Sequence, residues 1–95
     1  MSSPEVIDNP DRSQFEILVD DKQAGLAAYR LRPGVITFLH TEIDDAYEGQ
    51  GLGGQLVRAA LDSARERGLR VIPTCPFVKS WIERHPEYAD VVRHN

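Results

Sequence analysis

The hydrophobic and polar positions divide the chain into three strand-like segments followed by a helix-like segment. Residues 15–19, 24–31 and 35–43 alternate apolar with polar positions or carry short β-branched and aromatic runs, which is typical of strands. Because the connections between them are short, these strands are predicted to form an antiparallel meander. Residues 1–13 are polar, contain two prolines and have no period, so we expect a loosely held arm ahead of one domain, residues 14–95.

From Leu52 the apolar residues recur at helical spacing, and Gly68 marks the end of this helix because glycine readily takes the left-handed conformation. Residues 69–74 are predicted as a fourth strand and residues 77–84 as a short helix. A strand, a helix and a strand in this order form a crossover, so the last two strands should be parallel. The sequence thus predicts a mixed α/β fold: a meander and a βαβ crossover in one central mixed sheet with one parallel strand pair, flanked by helices.

Composition narrows the possible functions. The 95 residues suffice for one domain, and the formal net charge of -4 is not that of a general nucleic-acid binder. One cysteine cannot form an internal disulfide, and no cysteine–histidine spacing predicts a metal site. There is no signal-like leader and no apolar run near the ~18 residues of a membrane helix. We therefore expect a cytoplasmic protein without nucleic-acid, membrane or metal partners.

Four glycines lie within six positions just before the predicted helix: Gly49, Gly51, Gly53 and Gly54. Three of them fit the dinucleotide pattern G-x-G-x-x-G, but an acidic loop separates them from the preceding strand and the next strand does not end in an acidic residue. The P-loop pattern fails because glutamine and leucine follow Gly54 where that pattern requires lysine and a hydroxyl residue.

The glycines nevertheless favour an anion site over a turn that only joins a strand to a helix. The first turn of a helix has unpaired N–H groups and carries the positive end of the helix dipole. Because glycine has no Cβ, an anion can approach those donors closely, and a pyrophosphate suits such a site.

The loop Glu48-Gly49-Gln50-Gly51-Leu52-Gly53 resembles the acetyl-CoA loop of the GCN5-related N-acetyltransferases, although Glu48 stands where that pattern prefers arginine or glutamine. The longer segment from His40 to Tyr88 is similar to a minimal, single-domain branch of that superfamily. This branch has His-Thr at the end of the third strand, the Gly-x-Gly loop, and Cys-x-(Phe/Tyr)-Val before a short helix.

The resemblance implies an N-acetyltransferase that binds acetyl-CoA between two diverging strands. The backbone of the loop would hold the phosphates of CoA: Gly49, Gln50, Gly51, Leu52, Gly53 and Gly54. Residues of the two strands would line the reactive end: Thr41, Ile43, Thr74 and Cys75. The acceptor would be an amine of a protein lysine, a polyamine or a small metabolite, and the protein a monomer or weak dimer.

Two residues of the third strand are candidate bases for the amine's proton. By the two-residue period of a strand, His40 and Glu42 share a face with Ile36 and Phe38. In many members of the superfamily the base is a glutamate on this strand, and Glu42 resembles it. The alternatives are a half-buried His40 bonded to a backbone carbonyl and a solvated Glu42 carboxylate at the strand end.

Cys75 precedes Pro76 and should lie at a helix N-terminus, where a thiolate is favoured. It could carry the acyl group covalently or protonate the departing CoA thiolate, a role that Tyr88 could also take. The alternative is a buried cysteine that packs as a small hydrophobic residue. For the whole chain, the alternative to the enzyme is a CoA-binding or acyl-CoA-binding module with little or no turnover, and a further alternative is an interaction domain.

Overall fold

The computed structural model describes residues 3–92, which form one five-stranded sheet and two helices. The strands are β1 (Glu5–Asn9), β2 (Gln14–Val19), β3 (Lys22–Arg32), β4 (Val35–Ile43) and β5 (Arg70–Pro73). The helices are α1 (Leu52–Glu66) and α2 (Pro76–Arg84). Short 3-10 turns occupy Pro10–Arg12, Asp45–Tyr47 and Pro86–Val91.

The strands lie side by side in chain order, β1-β2-β3-β4-β5. The first four pair antiparallel, and β5 pairs parallel to β4 after the crossover through α1. The predicted mixed α/β fold with one parallel strand pair is therefore confirmed.

The sequence predicts a loosely held arm over residues 1–13, whereas Glu5–Asn9 of this segment form strand β1. These residues pair in register with β2, from Glu5 opposite Leu18 to Asn9 opposite Gln14. The segment shows no alternation because it is an edge strand with both faces largely accessible, and only Val6 packs against the core. A hydrogen bond of 2.6 Å from the Tyr29 hydroxyl to Asp8 ties β1 to the rest of the sheet.

The sheet has two unlike faces. Each face can be followed from strand to strand, because residues paired across neighbouring strands share a face. The helix face packs against α1 and α2 and carries the buried core of the sheet: Phe15, Ile17, Ala27, Tyr29, Ile36, Phe38 and Val71. The apolar stripe of α1 is buried on this face as predicted: Leu56, Val57, Ala60, Leu61 and Ala64. The opposite, outer face carries Glu16, Leu26 and Glu42 in one cross-strand row.

A register shift in β4 changes the faces of its last residues. Tyr29 is opposite Phe38 and Ala28 is opposite His40, so Leu39 has no partner on β3. This bulge reverses the alternation. The prediction that Ile36 and Phe38 share a face with the two candidate bases is wrong, because the side chains after the bulge have exchanged sides.

Candidate functional site

The parallel strands β4 and β5 pair over all of β5 but only over the first part of β4. Their last paired residues are Phe38 and Pro73, and the backbone N–H of Cys75 donates to the Phe38 carbonyl at 2.8 Å. In the described part of the chain, residues 40–43 of β4 pair with β3 alone. The second half of β4 thus presents a backbone edge beside the point where β5 turns into α2.

Cys75 lies at this point as the residue preceding α2, and its side chain is directed at β4. It is 3% exposed, and its Sγ lies 3.3 Å from Thr41 Oγ1. Two of the residues predicted at the reactive end are thus in contact. Ile43 packs against the core from the same face of β4, whereas Thr74 is exposed on the turn between β5 and α2.

His40 and Glu42 occupy the outer face, away from Cys75. His40 Nε2 lies 3.1 Å from Glu42 Oε2, and their side chains are 59% and 63% exposed. His40 is therefore exposed and paired with a carboxylate, not half-buried against a backbone carbonyl. The pair is open to solvent on the outer face of the sheet.

Two of the four glycines set the shape of the loop before α1. Gly49 and Gly51 have φ angles of +81° and +73°, and a Cβ at either would meet no atom within 4 Å. They are required for conformation, since the left-handed region disfavours residues with a Cβ. Gly51 is also the N-cap of α1, and within the described residues no side chain caps the N–H groups of that first turn.

The other two glycines are part of α1 and have a different role. A Cβ on Gly53 would lie 2.7 Å from Phe77 Cζ, and one on Gly54 would lie 3.3 Å from Trp81 Nε1. Phe77 and Trp81 are one helical turn apart on α2, so two consecutive glycines leave room for two aromatic rings. Sequence reasoning assigned all four glycines to an anion and missed this contact, whose signal was the i, i+4 spacing of the two aromatic residues.

An open groove follows the glycine loop towards the end of β4. It is lined by Ile43, Tyr47, Glu48, Gly49, Gly51, Leu52, Gly53, Gly54 and Phe77. Gln50 is exposed on the loop but does not line the groove. An apolar cavity of about 350 Å³ between α2 and the last 3-10 turn shares no lining residue with this groove.

Tyr88 belongs to a cluster that joins α1 to the C-terminal 3-10 turn. Its hydroxyl donates to Asp62 Oδ1 at 2.7 Å, and the guanidinium of Arg58 lies over the rings of Trp81 and Tyr88 at 5.2 and 5.6 Å. Burial, followed by the hydrogen bond to Asp62, raises the pKa of Tyr88. The sequence did not predict this cluster, in which the hydroxyl of Tyr88 is bonded to α1.

Residues 3–92 contain neither a metal-binding cluster nor a membrane-spanning helix. The described residues contain no group of three or more histidine, cysteine or acidic side chains that could hold a metal ion. Neither α1 nor α2 has the length and apolar character that crossing a membrane requires.

Comparison with known proteins identifies what the chain is similar to. The family model described as GCN5-related N-acetyl-transferase matches residues 14–91. Protein NATD1 from Bos taurus is 36% identical over 52 residues, 55% of this chain and 46% of the relative, so the chain spans about half the length of that relative. Protein NATD1 from Danio rerio is 30% identical over 88 residues, 87% of this chain and 79% of the relative.

Solved structures agree with the family match. A GCN5-like protein from Staphylococcus aureus, solved by NMR, has a TM-score of 0.74 and 30% identity, with 100% of this chain and 93% of that chain covered. The ribosomal-protein-S18-alanine N-acetyltransferase from Escherichia coli has a TM-score of 0.64, with 76% of this chain and 50% of that chain covered. At 21% identity, the second likeness concerns the fold alone.

Proposed function

Because the chain belongs to the GCN5-related N-acetyltransferase family, we propose that it binds acetyl-CoA and transfers the acetyl group to an amine. One observation carries the proposal: the uncapped start of α1 borders a groove that leads from the glycine loop to the end of β4. The groove therefore joins a place for phosphates to a place for a thioester.

The loop fits the phosphates of CoA. The first-turn N–H groups of α1 have no side-chain cap among the described residues, and the first turn contains no acidic residue. A diphosphate at this helix end would accept hydrogen bonds from backbone donors between Gly49 and Gly54 and would interact favourably with the helix dipole. Glu48 lines the same groove, so its carboxylate must point away from a bound diphosphate.

The reactive end would lie between β4 and the start of α2. Acetyl-CoA brings a thioester whose carbonyl can accept hydrogen bonds from the free backbone edge of β4, beside Thr41 and Ile43. The amine would reach this carbonyl from the outer face, where Glu42 or His40 accepts its proton. Placing the thioester and the base on opposite faces of one strand gives the two substrates separate entrances.

Cys75 has two possible roles in this scheme, and both use its position beside Thr41. In the first, the amine attacks the thioester directly, and Cys75 gives its proton to the departing CoA thiolate. In the second, Sγ attacks the carbonyl, and the departing CoA thiolate takes up the proton that the thiol loses. The amine then takes the acetyl group from Cys75, and the proton that the amine loses restores the thiol. Intact-mass measurement after mixing with acetyl-CoA separates them, because only the second leaves an acetyl adduct on the protein.

The proposal is tested by binding and turnover measured on the same sample. Acetyl-CoA at about 100 times its Kd should raise the free energy of unfolding by about 2.7 kcal/mol, which a thermal melt detects. Free CoA thiol should then be released when lysine peptides, polyamines or small amines are added. No thermal shift at millimolar acetyl-CoA would reject the proposal.

A CoA-binding module without turnover is the second candidate. It is favoured by the exposure of both candidate bases, because His40 and Glu42 lie on an open face and not in a closed acceptor pocket. A thermal shift with CoA together with no thiol release from any amine would establish this candidate over the enzyme.

A further inference from the structure

Phe77 leaves much of a large apolar ring in solvent. It lies in the first turn of α2 and is 40% exposed, whereas Val78, Trp81 and Ile82 of the same helix are buried. The tip of the ring lies in the gap that Gly53 leaves in α1. The ring is thus seated against α1 at its tip while the residue keeps a large exposed apolar surface.

The Phe77 ring forms part of the wall of the groove. Phe77 lines the groove together with Gly51, Gly53 and Ile43, and it follows Cys75 by two residues. A molecule that extends from the start of α1 to the end of β4 must pass along this wall. The ring therefore lies between the place proposed for phosphates and the place proposed for the thioester.

We infer that Phe77 forms the apolar wall against which the pantetheine arm of an acyl-CoA lies. This inference rests on the proposed function. The pantetheine arm carries methyl and methylene groups that link the diphosphate to the thioester. Covering a half-exposed phenyl ring with those groups removes apolar surface of both partners from water. Gly53 seats the ring, since a Cβ there would lie 2.7 Å from Phe77 Cζ and would displace the ring from this position.

The inference is tested with CoA and ADP, and each probe's affinity is compared between the unmodified chain and the variant. CoA contains the nucleotide diphosphate, a 3′-phosphate and the pantetheine arm, whereas ADP has the diphosphate without the 3′-phosphate and without the arm. In Phe77→Ala we expect the affinity for CoA, measured by calorimetry, to fall about tenfold, because the apolar cover of the arm is lost. The affinity for ADP should stay within about twofold, because the phosphate donors belong to α1.

A further variant controls for the loss of an exposed apolar side chain as such. Leu31→Ala removes an apolar side chain of similar exposure, 46%, that does not line the groove, and should leave the affinity for CoA unchanged. Circular dichroism of each variant reports whether it has folded.

The outcomes separate this inference from the proposed function. If the unmodified chain does not bind CoA, the proposed function fails and the inference fails with it. If the unmodified chain binds CoA and Phe77→Ala binds it equally well, the inference alone is overturned. Equal losses for CoA and ADP would also overturn it, because Phe77 would then act on the glycine loop and not on the arm. Should Phe77→Ala not fold, Phe77→Leu replaces it in the same comparison.

Discussion

Thr41 Oγ1 lies 3.3 Å from Cys75 Sγ on the helix face of the sheet, while the next residue of β4, Glu42, points to the outer face. The bulge at Leu39 produces this arrangement, because it brings Thr41 and Ile43 to the side that Phe38 occupies earlier in the strand. In the proposed reaction, β4 then separates the thiol from the base, and its free backbone edge is the place where the two substrates meet.

We predict that Gly51→Leu abolishes CoA binding and that Gly34→Leu does not. Gly51 and Gly34 have φ angles of +73° and +76°, and a Cβ at either would meet no atom within 4 Å. Both substitutions should therefore lower the free energy of unfolding similarly, by about 1–2 kcal/mol. Only the side chain at position 51 would project beside the uncapped N–H groups of α1.

Urea unfolding and calorimetry with CoA check the two parts of this prediction separately. Similar losses of stability with loss of binding only in Gly51→Leu would support the phosphate site at α1. Retained CoA affinity in Gly51→Leu would show that the diphosphate binds elsewhere.

The sequence predicts most of the fold because β2, β3 and β4 carry strand-like alternation or runs of β-branched and aromatic residues, and α1 has apolar residues at helical spacing over many residues. It does not predict β1, whose edge position leaves its apolar residues without a regular pattern. It also does not predict the bulge, because VITFLHTEI remains strand-like on either side of Leu39 and a single extra residue leaves no sign in composition. That one residue decides which face His40 and Glu42 occupy.

The glycine loop shows a similar limit at the candidate site. The sequence marks the position of the loop before α1, and the structure places the groove there. Sequence alone cannot separate Gly49 and Gly51, which need a left-handed backbone, from Gly53 and Gly54, which leave room for α2. That distinction depends on how two helices pack, and it requires knowledge of contacts between residues distant in sequence.

Glu42→Gln should lower kcat at least about tenfold if Glu42 accepts the proton of the amine, because a neutral amide is a far weaker base. The free energy of unfolding should change by less than about 0.5 kcal/mol, since the exposed pair with His40 contributes little to stability. Asp90→Asn is the matched control, because Asp90 forms an ion pair with Arg65 at 2.7 Å and is similarly exposed. Equal kcat in both variants would leave His40 as the candidate base.

Cys75→Ala should keep the affinity for CoA within about twofold and lower kcat at least about tenfold. The thiol contacts Thr41 at the end of β4 and does not line the glycine-loop groove. Loss of the buried sulfur should also reduce the free energy of unfolding by about 1 kcal/mol. Turnover of Cys75→Ala at the rate of the unmodified chain would assign Cys75 to packing alone.

Tyr29 on β3 should make the free energy of unfolding depend on pH in the alkaline range. Burial, followed by the hydrogen bond to Asp8, raises the pKa of Tyr29 from 10.0 to about 12. Between these values the unfolded chain loses the proton while the folded chain keeps it, so the free energy of unfolding falls as pH rises. The slope should approach about 1.4 kcal/mol per pH unit, and Tyr29 should contribute no pH dependence of stability below pH 10.

Tyr29→Phe tests this directly by urea unfolding between pH 8 and about pH 11. The variant should lose about 1 kcal/mol at pH 8, because the hydrogen bond to Asp8 is removed, and it should show a shallower decline above pH 10. Some decline should persist, since the pKa of Tyr88 is also raised. An unchanged slope in Tyr29→Phe would exclude Tyr29 as its source.

A double-mutant cycle between Gly53 and Phe77 should reveal coupling between α1 and α2. In Phe77→Ala, the further change Gly53→Ala should raise the free energy of unfolding by about 0.5–1 kcal/mol, because alanine is the better helix former and no ring opposes its Cβ. With Phe77 present, the same change should gain less or destabilise the protein, since the Cβ would lie 2.7 Å from Phe77 Cζ. The ring tip can shift towards solvent, so the coupling energy should be modest, about 0.5–1.5 kcal/mol. Urea unfolding measures both changes. Identical effects of Gly53→Ala in both backgrounds would mean that Gly53 does not seat the ring.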